Sequence, residues 1–326
     1  MLEDKIKKVH IELTSACNLN CSICFRNSWI DEKQGVMSVD VVNRIYQSLL
    51  NLKGLESVMF AGMGEPLLYD GICDIVNKVS QLGVKTEIIT NGTLLTAEIS
   101  ESLVKSGLTK VWISADESHV QSSGDNVVIN NIDYFNHIRK GKCKLGLTYA
   151  LANPTYKDLK NIQNFAKLIE ADEINISQII PSEPIENLEY NDSFPVGKRG
   201  LDDLFKQTEL KHNYCPFVEE NNVFIKWNGD VVPCMQLLHS SYTYLFKEKR
   251  KVMAYSFGNV LKNSLSTIWN SREYKEFRER VRIFDFPDCT LCNGCDDRKE
   301  NRTDCMFNVM PTCGACLWAQ NIARCP

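Results

Sequence analysis

Cys17-Asn18-Leu19-Asn20-Cys21-Ser22-Ile23-Cys24 places three thiols within eight residues, just past the first stretch that reads as a strand. Three is the informative number. A closed structural metal site takes four protein ligands, whereas three leave a position open for chemistry. A zinc knuckle borrowing a fourth ligand from elsewhere could use the same residues. Zinc sites usually pair their cysteines as CxxC, however, and the CxxxC half fits that poorly.

Composition narrows the classes. At 326 residues, 44% hydrophobic and 24% charged, the chain is an ordinary globular sequence with room for one large domain and a smaller one. A formal net charge of −4 gives no electrostatic case for nucleic acid. No apolar run reaches the length of a membrane span, and Met1-Leu2-Glu3-Asp4-Lys5 lacks the apolar core of a signal peptide. The expectation is a cytoplasmic protein with no nucleic-acid or membrane partner. Fourteen cysteines in a reducing compartment favour metal or cluster ligation over disulfides.

Those cysteines are unevenly spread. Three lie at the start, Cys73 and Cys143 lie in the middle, and nine fall between Cys215 and Cys325. The shift marks a domain change near residue 200, giving a first domain over 1–200 and a second over 201–326. The breaker-rich segment from Pro181-Ser182-Glu183-Pro184 to Phe194-Pro195-Val196-Gly197 reads as the linker. Lone cysteines behave as small apolar residues, so Cys73 and Cys143 read as structural.

Up to about residue 180, short apolar strands alternate with amphipathic segments of helix length. Val9-His10-Ile11-Glu12-Leu13 alternates with period two; Ser57-Val58-Met59-Phe60, Thr86-Glu87-Ile88-Ile89, Lys110-Val111-Trp112-Ile113-Ser114, Leu145-Gly146-Leu147-Thr148-Tyr149 and Ile174-Asn175-Ile176-Ser177-Gln178-Ile179 follow. Between them, Ser38 can cap a helix with Val41, Ile45, Leu49 and Leu52 on one face, and Leu159, Ile162, Phe165, Ala166 and Ile169 form another stripe. Alternating βα units predict a parallel sheet with right-handed crossovers. Six units are two short of a closed eight-fold barrel. The fold class is therefore α/β, a partial (β/α)6 barrel that stays open, with a smaller cysteine-rich C-terminal domain.

Ligands in such architectures sit at the carboxyl ends of the strands. The loops after the strands can thus be read as one surface. Loop one holds Cys17, Cys21 and Cys24. Loop two is Gly62-Met63-Gly64-Glu65-Pro66, loop three is Thr90-Asn91-Gly92, strand four ends in Ser114-Ala115-Asp116, and strand five leads to Asn153-Pro154. Each alone would pass for an ordinary turn. Their shared edge makes Gly62, Gly64, Glu65, Asn91, Ser114, Asp116 and Asn153 candidate ligand contacts.

This constellation resembles the radical S-adenosylmethionine enzymes. Cys17, Cys21 and Cys24 match the family's CxxxCxxC motif, although Ile23 stands where an aromatic residue is more frequent. The resemblance implies a 4Fe–4S cluster on these three cysteines, its fourth iron binding S-adenosylmethionine. It also implies reductive cleavage of that molecule to methionine and a 5′-deoxyadenosyl radical. Loop two is similar to the family's glycine-glycine-glutamate motif, with Met63 in place of one glycine, which carries the amino group; Glu65 would orient the methionine moiety. Ser114 and Asp116 resemble positions that face the ribose, and Asn153 and Gln178 resemble later motif positions.

In the last third, Cys215 precedes a hairpin signal, in which Val223-Phe224-Ile225-Lys226-Trp227 runs through Asn228-Gly229 into Asp230-Val231-Val232-Pro233-Cys234. Asn-Gly between β-rich runs predicts a tight primed turn that brings Cys215 and Cys234 together. One helix is expected from Leu265 to Val281, with Arg278, Arg280 and Arg282 as a solvated face. Cys289, Cys292, Cys295, Cys305, Cys313, Cys316 and Cys325 then put seven cysteines into 37 residues with little aliphatic sequence between them. Such a segment needs metal to fold. Two structural zincs or iron–sulfur clusters would serve. The region resembles the SPASM domain, which houses auxiliary 4Fe–4S clusters. Cys215, Gly229, Cys234 and the Phe257-Gly258-Asn259-Val260 to Ile268-Trp269 stretch carry the match; the spacing from Cys292 to Cys295, the late Cys305 and the extra cysteines depart from it. Two fully ligated clusters would use eight of the nine, and the sequence does not say which.

The tail Pro311-Thr312-Cys313-Gly314-Ala315-Cys316-Leu317-Trp318 to Cys325-Pro326 is similar to the ending of radical maturases associated with tungsten-pterin oxidoreductases of the aldehyde:ferredoxin type. Leu317, Trp318 and Ile322 would also serve simply to pack a terminal helix against the clusters. The implied activity is modification of a partner oxidoreductase or its protein-bound tungstopterin, with an electron donor such as ferredoxin or flavodoxin. Two rival readings are a maturase that crosslinks or oxidises a ribosomally made peptide and a non-catalytic iron–sulfur electron carrier.

Overall fold

Six parallel strands follow one another in chain order, β1 (Lys8–Ile11), β2 (Ser57–Phe60), β3 (Lys85–Thr90), β4 (Lys110–Ala115), β5 (Lys144–Leu151) and β6 (Glu173–Gln178). Five helices return the chain between them: α1 (Val39–Leu50), α2 (Ile72–Ser80), α3 (Ala97–Lys105), α4 (Val127–Arg139) and α5 (Tyr156–Leu168). The computed structural model describes residues 4–115, 127–151, 155–178, 197–199, 201, 213–245, 248–292 and 294–320. The α/β architecture and the six parallel strands expected from the alternating pattern are present. Local chemistry sets the helix starts. Ser38 accepts from the Val41 N–H (3.4 Å) at the start of α1, and Thr155 with Asp158 forms a capping box on α5.

The sheet stays open, and both its edges are extended. On the far side β7 (Gly197–Arg199) pairs antiparallel with β6. On the near side β8 (Asn222–Ile225) pairs parallel with β1, Lys8 opposite Asn222 and Ile11 opposite Ile225. Beyond β8 come β9 (Asp230–Val232) and β12 (Gly258–Asn259), both antiparallel, so ten strands form one continuous sheet. A separate hairpin pairs β10 (Ser241–Leu245) with β11 (Glu248–Val252). Short helices α6 (Pro216–Glu219) and α7 (Leu265–Trp269) and the longer α8 (Arg272–Arg282) complete the C-terminal part. Outward side chains of the barrel strands, such as Val9, Ile11, Val58, Phe60 and Ile113, are buried under the helix stripes.

Four local expectations need correction. The Asn228-Gly229 turn is not of the primed type. The Gly229 N–H bonds to the Lys226 carbonyl and the Lys226 N–H to that of Asp230, and Gly229 carries the positive φ of +88°. This is a three-residue loop closed by a glycine bulge. The single helix from 265 to 281 is two, because Ser271 starts a new one by capping Tyr274 N. The arginines of α8 do not form a solvated face. Arg278 is buried, stacks 3.7 Å above the Trp269 ring and pairs with Asp4 at 2.7 Å; Arg282 reaches Asp4 and Asn221. Charge interleaving suggested solvent, but the partners come from the opposite end of the chain, where periodicity carries no signal. Finally, residues 313–320 form turns rather than a helix.

Arg278 thus ties the N-terminal segment to the C-terminal helices. Arg278→Ala should cost about 3 kcal/mol, the scale for breaking a buried pair, and should lower the thermal midpoint. An unchanged midpoint would return this arginine to the solvated class.

Candidate active site

The three loops at the carboxyl ends of β1, β2 and β3 are knotted together by one residue, Glu65. Glu65 is 2% exposed and accepts from the Leu67 N–H (3.0 Å), the Thr90 hydroxyl (2.7 Å) and the Asn91 N–H (2.8 Å). Its own N–H donates to the Ala16 carbonyl at 2.8 Å, one residue before Cys17. Gly64 is required by this closeness. A Cβ there would lie 2.3 Å from the Thr14 carbonyl and 2.4 Å from that of Ala16, and one on Gly62 would meet the Glu12 side chain at 2.4 Å. The glycines therefore let loop two press on the root of the cysteine loop.

From the third loop, Asn91 donates to Asn18 Oδ1 (3.0 Å) and to Cys17 Sγ (3.8 Å), while Asn18 donates to the Thr93 hydroxyl (2.8 Å). The sulfurs meet further donors: Leu19 N–H at 3.4 Å on Cys17 and Arg26 Nε at 3.4 Å on Cys24. Cys17, Cys21 and Cys24 are all free thiols and half-buried. Donors aimed at sulfur stabilise thiolate and tune a bound cluster. Ser114 is half-buried near the end of β4, and Gln178 ends β6. Asp116 and Asn153 lie outside the described residues.

The cysteine loop is pinned from the C-terminal side as well. His239 is fully buried, with Nε2 3.0 Å from both Glu12 oxygens and Nδ1 3.1 Å from Glu32 Oε2. Lys226 pairs with Glu32 at 3.0 Å, the Ser240 N–H donates to Glu32, and Trp29 stacks on the imidazole at 4.2 Å. With Glu12 and Glu32 ionised, the two carboxylates only accept, so both ring nitrogens donate and His239 is an imidazolium. Burial alone would lower its pKa, but the hydrogen bonds to Glu12 and Glu32 outweigh that and hold it above its usual value. Burial likewise opposes ionisation of Glu32, yet His239, the Ser240 N–H and Lys226 bring it down to about 2.

Inside the barrel, Lys8, His10, Trp112, Asn175, Asn222 and Phe217 help line a cavity of about 430 Å³, the size of a small-molecule site. Trp112 donates to Glu87 at 2.7 Å at its inner end. Among the described residues, the buried side-chain oxygens of Asn175 and Asn222 have no hydrogen-bond partner, so two lining residues carry unsatisfied acceptors. The sequence reading overlooked this lining and the His239 pin. A signal was present: a parallel strand covered on both faces should be apolar throughout, yet His10 and Glu12 interrupt Val9, Ile11 and Leu13.

The C-terminal thiols fall into two neighbouring sets. Cys215, Cys234, Cys313 and Cys316 line a single cavity together with Arg250, Gln236 and Trp318. Burial pushes the Cys215 thiol up to about 12 and raises those of Cys234, Cys313 and Cys316, each reinforced or accompanied by nearby protein charge. Cys289, pushed up by burial to about 11, has Cys305 and Cys292 as neighbours, and both of those are exposed. Among the described residues no three His, Cys, Asp or Glu side chains gather closely enough to hold a single metal ion. A cubane is bound differently, with one thiolate at each iron corner, and asks for sulfurs around a cavity rather than around a point. Buried thiols that resist ionisation become thiolates when iron supplies the positive charge. The donor sets fit. Cys73 and Cys143, by contrast, are raised by burial far from these groups, Cys143 to about 12, as structural thiols are.

Residues 11–123 match the Radical SAM superfamily, and residues 215–296 match SPASM, an iron–sulfur cluster-binding domain. The tungsten-containing aldehyde ferredoxin oxidoreductase cofactor-modifying protein of Pyrococcus furiosus is 31% identical over 351 aligned positions, covering 98% of this chain and 97% of the relative. The chain belongs to the radical SAM superfamily. Among solved structures, anSMEcpe with bound AdoMet aligns at a TM-score of 0.59 and 17% identity, covering 97% of this chain and 95% of that one. SuiB of Streptococcus suis bound to S-adenosylmethionine aligns at 0.59 and 17% identity, covering 84% and 68%. Both share the fold. As a radical SAM protein with a SPASM domain, the chain is an enzyme that uses S-adenosylmethionine, a 4Fe–4S cluster and auxiliary iron–sulfur clusters. Among the described residues, no helix is long and apolar enough to cross a membrane.

The His239 pin predicts a pH profile. A folded pKa raised above 6.5 means the stabilisation is complete below pH 6.5 and is lost as pH rises through the folded value. Glu32 acts in the opposite direction, its share complete above pH 4.5 and lost as pH falls toward 2. The stability difference between the wild type and His239→Gln should be about 2 kcal/mol near pH 6 and shrink toward alkaline pH. A difference independent of pH would show a neutral ring.

Proposed function

We propose that this radical SAM enzyme is a maturase that reductively cleaves S-adenosylmethionine and modifies a tungstopterin oxidoreductase or its protein-bound cofactor. The observation that carries this reading is the near full-length match to the cofactor-modifying protein of Pyrococcus furiosus, which reaches through the cysteine-rich tail as well as the barrel. When bound and reduced, the cluster supplies the electron that cleaves the sulfonium to methionine and a 5′-deoxyadenosyl radical. The protein contributes position. Cys17, Cys21 and Cys24 would hold the cluster and, being three, would leave it open to S-adenosylmethionine. Gly62, Gly64 and Asn91 shape the seat for its methionine end, and Ser114 serves the nucleoside; Asp116 and Asn153, outside the described residues, are assigned to the nucleoside on sequence resemblance alone. Glu65 orients the methionine end through the loops it clamps, accepting from the Leu67 and Asn91 N–H groups and the Thr90 hydroxyl. The lumen lined by His10, Trp112, Asn175 and Asn222 receives the group to be modified and keeps solvent from the radical.

The thiols are apportioned on the same reading. Cys215, Cys234, Cys313 and Cys316 share a cavity and hold one auxiliary cluster. Cys289, Cys292 and Cys305 hold the other, joined by Cys295 through its CxxC spacing to Cys292. Cys325, outside the described residues, is the ninth cysteine and is left over. Replacing Cys17, Cys21 and Cys24 together by alanine should remove about four of about twelve irons per chain and abolish 5′-deoxyadenosine. A variant that still forms 5′-deoxyadenosine would refute the site.

Substrate assignment is tested by incubating the anaerobically loaded enzyme with S-adenosylmethionine, dithionite and a tungsten aldehyde oxidoreductase that has not met it. The reading expects 5′-deoxyadenosine formed in proportion to the oxidoreductase, with a mass change in that protein or its cofactor. Turnover on a short peptide instead would favour a peptide maturase, and no cleavage under any condition would leave an electron carrier.

A further inference from the structure

Arg250, on β11, is a buried cation without a carboxylate. It is 4% exposed, and it donates to backbone carbonyls, of Arg298 at 2.9 Å and Glu300 at 3.5 Å. Among the described residues, no acidic side chain forms an ion pair with it. The adjacent Arg298 shows the ordinary solution, with Nε 2.8 Å from the Glu248 carboxylate. A guanidinium taken out of water and bonded only to carbonyls keeps a full uncompensated charge, a costly arrangement unless an anion stands nearby.

The surroundings name that anion. Arg250 lines the cavity of Cys215, Cys234, Cys313 and Cys316. The sulfurs with which it interacts electrostatically are Cys316, Cys289 and Cys313, which belong to both thiol sets. The sets are separated by a single layer of backbone. Cys289 N–H donates to the Gly314 carbonyl at 3.2 Å, and a Cβ on Gly314, between Cys313 and Cys316, would come within 3.1 Å of Cys289 Sγ. Arg280 also faces Cys313, and Asp304 faces Cys289, so the local field is not due to one residue. Among the described residues, Arg250 is the cation that reaches both sets.

We propose that Arg250 is the shared counter-charge of the two auxiliary clusters, a positioning residue that holds both reduction potentials up. This rests on the apportioning of thiols given above. A cubane held by four thiolates is an anion, and reduction adds a further negative charge. A buried cation at short range favours the reduced state, and the low dielectric leaves that effect poorly screened. The same charge offsets the repulsion between two anionic centres placed side by side.

The test is an anaerobic redox titration followed by electron paramagnetic resonance on the loaded full-length wild type, Arg250→Met and Arg250→Lys, with iron counted in each. Arg250→Met should shift the reduction equilibrium of both auxiliary clusters against reduction by about tenfold or more, which is about 59 mV for a one-electron couple. The cluster of Cys17, Cys21 and Cys24 should stay put, and Arg250→Lys should recover most of the shift. A purely structural role predicts that lysine fails like methionine, because the bond to the Arg298 carbonyl is lost in both. Unshifted potentials in a fully loaded Arg250→Met would overturn the inference while leaving the ligand sets standing. Equal movement of all three clusters would overturn it too. A wild type that loads only one auxiliary cluster would overturn the ligand sets and the inference with them.

Discussion

Strand β1 has two parallel neighbours, and most of the molecule's function follows from that. On one edge lies β2, the next strand in the chain; on the other lies β8, more than 200 residues later, in the same register from Lys8 to Ile11. The cysteine loop leaves the top of this central strand. It is therefore held from both directions, by Glu65 and Asn91 on the barrel side and by His239, Lys226 and Ser240 on the other. A four-residue strand cannot position a reactive centre alone. One flanked on both edges, with charged pins on either side of its loop, gains the rigidity that such a centre needs.

The same pairing sets where the auxiliary thiols sit. Cys215 and Cys234 flank β8 and β9, so whatever they bind lies against the barrel wall. Pro216 and Phe217 line both the four-thiol cavity and the barrel lumen. The wall between the lumen and the four-thiol cavity is one side chain thick at that point. Phe25, the residue after Cys24, packs on Cys289, Ala315 and Leu317. The loop of the first cluster thus supports the region of the second set.

Much of this was legible in the chain. Period-two strands followed by 3.6-period helices gave the six parallel units, because burial on one face is written locally. The three strand-end loops could be read as one surface for the same reason. What stayed hidden depends on contacts distant in sequence. Glu65 was legible as a candidate ligand contact, but the clamp it forms on Thr90 and Asn91 was not. Arg278 looked solvated because its partner, Asp4, is 274 residues away. The parallel addition of β8 to β1 has no local signature at all, since the hairpin that carries it would look the same in a detached domain. His10 and Glu12 were visible as polar interruptions of a buried strand, but only a cavity and a distant histidine gave them meaning.

The central claim is that three cysteines at the head of the chain hold a cluster with one open iron, while eight of the nine at its end serve separate centres. Anomalous diffraction at the iron edge, on crystals of the anaerobically loaded protein, tests it most directly. The account predicts three separate iron peaks, one beside Cys17, Cys21 and Cys24 with no fourth protein sulfur, one within Cys215, Cys234, Cys313 and Cys316, and one beside Cys289, Cys292, Cys295 and Cys305. A C-terminal cysteine completing the first site, or anomalous signal at the zinc edge in place of iron, would contradict it.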